Sequence, residues 1–218
     1  MNLTTIHEPP FEPVTLADVY RVLKIDADGS PPEHPLDADF ARNITSARRN
    51  VEKLTRRSLI RQTLRLSVEG FPANCEGWQL GPRWVRVPTT IRLLRPPVIA
   101  VQSVQYFDAD NALQTVDAAS YYVTDDEAPE LRFVSTFSAP TVYDRPDALR
   151  VTYVAGYLGA GSPPSSQEEY AEHVPSELKD AILVGVQMLQ TSTSPQDYEL
   201  LQRMQAALVS GYVVRLAL

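Results

Sequence analysis

The chain has 218 residues, enough to bury one full-sized core or two small ones. With 44% hydrophobic and 22% charged residues it has an ordinary globular composition, and a net charge of −7 argues against a polyanion binder as a whole. The single cysteine, Cys75, excludes an intrachain disulfide; with no apolar run near the ~20 residues of a membrane span and no signal-like start, a soluble, cytoplasmically made protein is expected.

Residues 1–14 hold three prolines and read as an extended arm. Thr15 stands three residues before Asp18, a capping-box-like start, and Leu16, Val19, Val22 and Leu23 predict a short helix over 16–24. The breaker-rich DADGSPPEHP follows, and then a long helix at about 37–56. Phe40, Ile44, Ala47, Val51 and Leu54 fall within about 80° of one another at 100° per residue, one apolar stripe. Arg42, Arg49, Lys53 and Arg56 fall on the opposite side within about 60°, a narrow cationic face. That face suits contact with phosphates or acidic side chains; a merely solvated face is the plain alternative.

From Ser58 to Tyr157 the pattern turns to short alternating runs: LIRQTLRLSVEGF, WVRVP, TIRLL broken by Pro96-Pro97, VIAVQSVQYF hairpinned to ALQTVD, YYVTDD, ELRFVS and ALRVTYVAGY. These predict an antiparallel sheet or small sandwich whose many aromatics are core residues first and a ligand platform second. A polar loop covers 158–173. Val174-Pro-Ser-Glu177 opens another helix with Leu178, Ala181, Ile182, Gly185, Val186 and Leu189 as its stripe. Ser194 caps the last helix, with Pro195 in its first turn, Tyr198, Leu201 and Leu208 on its buried face and Gly211 as the expected C-cap. The tail Tyr212, Val213, Val214, Arg215, Leu216, Ala217 and Leu218 is β-prone with no partner nearby in sequence.

The expected class is therefore α+β. A helical bundle from 1–57 and 174–218, with its N-terminal arm and C-terminal tail, carries an inserted β region at 58–173 that ends in the polar loop. No chemistry announces itself. His7, His34 and His173 have no metal-ligand spacing, and Gly156-Tyr-Leu-Gly159-Ala-Gly161 opens into Ser-Pro-Pro rather than a helix. Asp125-Asp126 is turn-like, so no enzyme, no metal and no cofactor are expected. Charge is lopsided: eight basic residues and one acidic between Arg42 and Arg65, nine acidic and three basic between Gln105 and Arg150. Opposed patches of this kind suit self-association or docking, and solvated faces produce them too.

Glu12-Pro-Val-Thr-Leu-Ala-Asp-Val19 and Val51-Glu-Lys-Leu-Thr-Arg-Arg-Ser-Leu-Ile-Arg-Gln62 resemble head–tail connector proteins, also called adaptor or head-completion proteins, of long-tailed bacteriophages and gene transfer agents. Arg95-Pro-Pro-Val98, Val101-Gln-Ser-Val104, Leu149–Gly156, Val174–Ile182 and Ala207–Arg215 fit in order and spacing. A departure is Arg56-Arg57, where this family often has a glycine before the arginine, so a different turn or an extended helix is expected. The resemblance implies a non-enzymatic virion protein at the head–tail interface, made in the host cytoplasm. It implies a ring, typically a dodecamer of neighbouring copies, that docks on the portal protein, extends the DNA channel and presents a surface to a downstream head-completion or tail protein. The packaged DNA would pass through the lumen without sequence-specific contact. The resemblance assigns portal binding to the tail Tyr212–Leu218; Arg42, Arg49, Lys53 and Arg56 are then expected at subunit contacts or the lumen. Two other readings stand beside it: a carbohydrate- or host-surface-binding β module, and a weak non-specific DNA binder using the cationic helix.

Overall fold

The computed structural model describes residues 1–26, 34–72, 78–80, 83–85, 90–157, 166–190 and 194–214. The fold is α+β, in two compact units: Met1–Glu8 with Gln62–Ala155, and Pro9–Arg61 with Gly156–Leu218.

The first unit is antiparallel throughout. One sheet has the order β1 (Asn2–His7), β2 (Gln62–Val68), β10 (Leu149–Ala155), β6 (Val98–Phe107), β7 (Leu113–Thr115). A second joins β5 (Thr90–Arg92), β9 (Glu130–Phe133) and β8 (Tyr121–Val123), and β3 (Trp78–Leu80) pairs with β4 (Arg83–Val85). The alternation read in the sequence places Leu64 and Leu66 of β2 and Val151 and Tyr153 of β10 in one core with Ile91, Leu93, Val104 and Leu131. Tyr153 is fully buried and donates its hydroxyl to the Leu94 carbonyl at 2.6 Å. Phe71, Tyr106, Phe133 and Phe137 pack together beside this core, the last two stacked at 4.5 Å between centroids.

Two segments sit differently from the sequence expectation. The N-terminal arm, grouped there with the helices, forms β1 and pairs with β2, and Leu3 packs against the sheet core. The prolines at 9, 10 and 13 come after this strand and end it rather than prevent it. The end of the polar loop, grouped there with the β region, forms a short helix, α3 (Gln167–Glu172), capped by Ser166. Buried Tyr170 ties it to the helical core. Residues 158–165 lie outside the described residues.

The second unit is helical: α1 (Leu16–Leu23), α2 (Asp37–Thr55), α3, α4 (Ser176–Met188) and α5 (Pro195–Val209). The Thr15–Asp18 capping box is formed in both directions. Asp37 opens α2 by accepting the His34 amide and the Tyr20 hydroxyl. Phe40, Ile44, Ala47 and Val51 of α2 share a core with Leu178, Ala181, Ile182 and Val186 of α4. Gly185 marks a close approach of α4 to α2 and α5: an added Cβ would lie 2.9 Å from the Gln205 amide nitrogen and 3.0 Å from the Ala47 Cβ. Gly156 (φ +135°) is likewise required, because a Cβ would meet the Ile60 carbonyl carbon at 2.4 Å.

Sequence expectations fail at several positions: Val22, placed in the stripe of α1, is 36% exposed, and Leu189, placed in the stripe of α4, follows the end of that helix and is 51% exposed. Leu54, placed in the apolar stripe of α2, is 43% exposed. Tyr198, placed on the buried face of α5, is 47% exposed, and the buried positions there are Leu201, Gln205 and Val209. Gly211 is not a left-handed cap; α5 passes through Ser210 into a 3-10 turn over Ser210–Tyr212.

Candidate functional site

Helix α2 and the chain after α5 hold both sets of residues singled out in the sequence. Arg42, Arg49 and Lys53 are exposed on α2, as the helical arithmetic requires, and Arg56, just past the helix end, is exposed as well. Arg42 is paired with Asp39 at 2.9 Å across one turn, which tempers the positive charge at that end of the stripe.

The buried arc of α2 is shifted from the apolar stripe. It loses Leu54 at one edge and gains Arg48 and Glu52 at the other, 3% and 2% exposed. Arg48 donates through Nε to Glu12 at 2.7 Å and through Nη1 to Glu52 at 2.9 Å. The other Glu52 oxygen accepts the Leu59 amide at 3.0 Å, fixing the chain where it leaves the helix. Charged residues carry no apolar signal, so the periodicity missed them. Their spacing of four residues was the available clue.

Helix α2 ends on Arg56, whose φ of 58° and ψ of 32° make it a left-handed cap in the place of a glycine. The helix therefore turns at Arg56 rather than extending. Arg57 then reaches back, its Nε donating to the Tyr212 carbonyl at 2.6 Å. The Val214 amide donates to the Thr55 carbonyl at 3.0 Å, satisfying one of the open carbonyls at the end of α2. The structure thus brings together two predicted features, the end of the cationic face and the start of the tail.

Tyr212 also donates its hydroxyl to Glu177 Oε2 at 3.1 Å. The Glu177 carboxyl is held below its usual range by its own main-chain amide and then by Tyr212. The Tyr212 phenol is raised, first by burial and then by that carboxylate. Val214 is buried and Val213 half-buried, so the first three residues of the tail, expected without a partner, lie against their own helical unit. Arg215, Leu216, Ala217 and Leu218 lie outside the described residues.

Among the described residues no group of three His, Cys, Asp or Glu could hold a metal ion, and no helix is long and apolar enough to cross a membrane. The β unit carries its own charged cluster. Asp147 accepts from Arg145 and Arg150, and both guanidinium groups lie over the Phe107 ring, at 3.7 and 4.7 Å. The two arginines bring the Asp147 carboxyl down to about 2.

No protein-family profile and no curated protein matches the chain. Solved structures do. The fold is similar to that of a chain in the virion of a native gene transfer agent particle, with a TM-score of 0.67 at 16% identity, covering 100% of this chain and 98% of that one. A chain in the neck of an empty gene transfer agent particle, computed with C6 symmetry, gives 0.67 at 18% with the same coverage. One in the neck of the native particle, computed with C12 symmetry, gives 0.62 at 17%, again covering 100% and 98%. At these identities the likeness is one of fold.

Proposed function

We propose that this chain is a structural virion protein of the particle neck, a head–tail adaptor. Copies of it form a ring, a dodecamer in this reading, that docks on the portal, extends the DNA channel and offers the attachment surface for the next head-completion or tail protein. Its role is assembly rather than catalysis, and it takes no cofactor. The observation that carries the reading is the end-to-end fold likeness to chains of gene transfer agent necks, 98% of whose length is matched. Neck particles computed with six- and twelve-fold symmetry make a closed ring the natural arrangement of copies.

In this reading the tail contacts the portal, and the fastening at Tyr212 and Val214 narrows how. The portal contact then falls to Arg215–Leu218, whose β-prone sequence suits addition to a strand edge. The exposed Arg42, Arg49, Lys53 and Arg56 face a neighbouring copy or the lumen, where repeated around a ring they would line a cationic surface without reading base sequence.

The test is the mass of the full chain alone and mixed with the portal of the same particle. A ring-sized complex with the portal is expected, lost on truncation after Val214. That cut spares the Tyr212 and Val214 contacts that a deletion from 212 would destroy. No complex with the portal would sink the adaptor reading; a complex indifferent to 215–218 would sink only the assignment of the tail.

A further inference from the structure

The five-stranded sheet turns one face to the core of its unit and the other away from it. Leu64 and Leu66 of β2 and Val151 and Tyr153 of β10 point inward, so the residues between them point outward. The strand registers set these outward residues in rows. Thr4, Arg65, Thr152 and Ser103 stand opposite one another across β1, β2, β10 and β6. Ser67, Arg150 and Gln105 form the next row, about 7 Å along the strands. Thr4, on the edge strand, is exposed, and the others are half-buried. Each of these side chains can donate a hydrogen bond, and the two charges among them are positive. The five strands contain no aspartate, glutamate or lysine, in a chain with 27 acidic residues and 20 basic ones. Arg145 extends the face: its guanidinium lies with that of Arg150 over the Phe107 ring, and Asp147 offsets one of these two charges. Three arginines thus stand here against that one carboxylate.

We propose that this outer face is a sequence-independent contact surface for the phosphodiester backbone of nucleic acid, with Arg65 at its centre. Such a surface goes beyond the adaptor reading and depends on the sheet alone. The charge selects an anion, and the composition selects among anions. Arginine, serine, threonine and glutamine are the side chains that contact phosphate and sugar without reading bases. An acidic protein surface would instead need an apolar or aromatic centre to dock on. Here Val154 is buried, and two guanidinium groups cover the Phe107 ring. Arg65 has the threonines Thr4 and Thr152 directly opposite on the two flanking strands, with Cβ atoms about 5 Å away. One phosphate can therefore take a guanidinium and a hydroxyl together. The net charge of −7 does not forbid this, because salt at 0.1 M screens exposed charges beyond about 10 Å. It does require the binding to be weak and salt-sensitive.

The experiment is a fluorescence-anisotropy titration of labelled duplex DNA of mixed sequence with the full chain, at about 50 to 200 mM salt. Binding with a Kd between about 1 and 100 μM at the low-salt end, indifferent to the duplex sequence, is expected. Arg65→Gln should weaken it about tenfold and lower the slope of log K against log salt by about one, with thermal unfolding unchanged. Arg65→Lys should restore the slope. Thr152→Val keeps a strand-forming residue and should weaken binding about threefold without changing the slope. Should Arg65→Gln disturb the fold, Thr152→Val carries the test, and an affinity it leaves unchanged would overturn the proposal. No duplex binding at about 50 mM salt would do the same. Equal binding of polyglutamate would overturn it by marking a surface for acidic protein. So would an affinity untouched by Arg65→Gln but lost when Arg49 and Lys53 of α2 become glutamine, which would put the contact on the helix.

Discussion

Each of the two units has an interior of its own kind. In the β unit the core cluster is apolar apart from the Tyr153 hydroxyl, and its charges, Arg145, Asp147 and Arg150, sit at the partly exposed margin. In the helical unit the interior is mixed. Arg48, Glu52, Thr55, Ser58 and Gln205 are all buried there, whereas Gln62, at the start of β2, is the buried polar residue of the other unit among those described. An apolar core tolerates many arrangements of similar volume. A buried pair such as Arg48–Glu52 is worth its desolvation cost only in one geometry, so the polar core fixes how α2, the Glu12 segment and the Leu59 segment meet. The helical unit is thus the one with the more exacting interior.

The largest effect should come from breaking that pair. Arg48→Met takes the guanidinium away from both Glu12 and buried Glu52 and is expected to destabilise the helical unit by about 3–5 kcal/mol, read as a lower denaturant midpoint followed at the helical circular-dichroism band. The double variant Arg48→Met, Glu52→Leu should recover part of this. It should not reach the parent, because the Leu59 amide then loses its acceptor. Full recovery would mean that Glu52 contributes nothing beyond its pairing with Arg48.

Next is the crossing of α2, α4 and α5. Gly185→Leu forces the Gln205 amide off the Ala181 carbonyl and presses on Ala47, at an expected cost of about 1–3 kcal/mol by the same measurement. The β unit should be gentler. Tyr153→Phe removes one buried hydrogen bond from an otherwise apolar core, and about 1 kcal/mol is expected from the shift in thermal midpoint.

These positions also separate what could be read in advance from what could not. The α+β class, the Thr15–Asp18 box, the span of α2 and the hairpin from β6 to β7 follow from local rules of period, cap and turn, each satisfied within a few residues. The strand at Asn2–His7 did not, since its partner lies some sixty residues on and only tertiary pairing makes it a strand. Arg48 and Glu52 stayed hidden because a charged residue at the edge of a stripe looks solvated until Glu12 arrives from another segment. The exposure of Arg42, Arg49 and Lys53 was legible from angle alone. That the tail is tied down at Val214 depends on a contact with Thr55, far away in sequence. The turn at Arg56 lies between: the missing glycine was visible, the left-handed conformation was not. Arg56→Gly should relieve it and raise stability by about 0.5–1 kcal/mol, seen as a higher thermal midpoint.

The smallest effect belongs to the margin of the β unit and is best read through pH. Asp147 is held at about 2 by Arg145 and Arg150, below the ~3.9 of an unfolded aspartate. A carboxyl whose folded value is depressed binds its proton more readily when unfolded, so its contribution is present in full above about pH 4. It is lost as pH falls from there towards 2. Asp147 is 31% exposed in its side chain, so solvent screening keeps the contribution below about 1 kcal/mol. Asp147→Asn is accordingly expected to lower the thermal midpoint slightly at neutral pH, with the gap to the parent closing between pH 4 and 2 and shrinking in high salt. A gap that stays constant through that interval would show that the asparagine alters the fold of the 145–150 turn, and that the charge of Asp147 does not hold Arg145 and Arg150 in place.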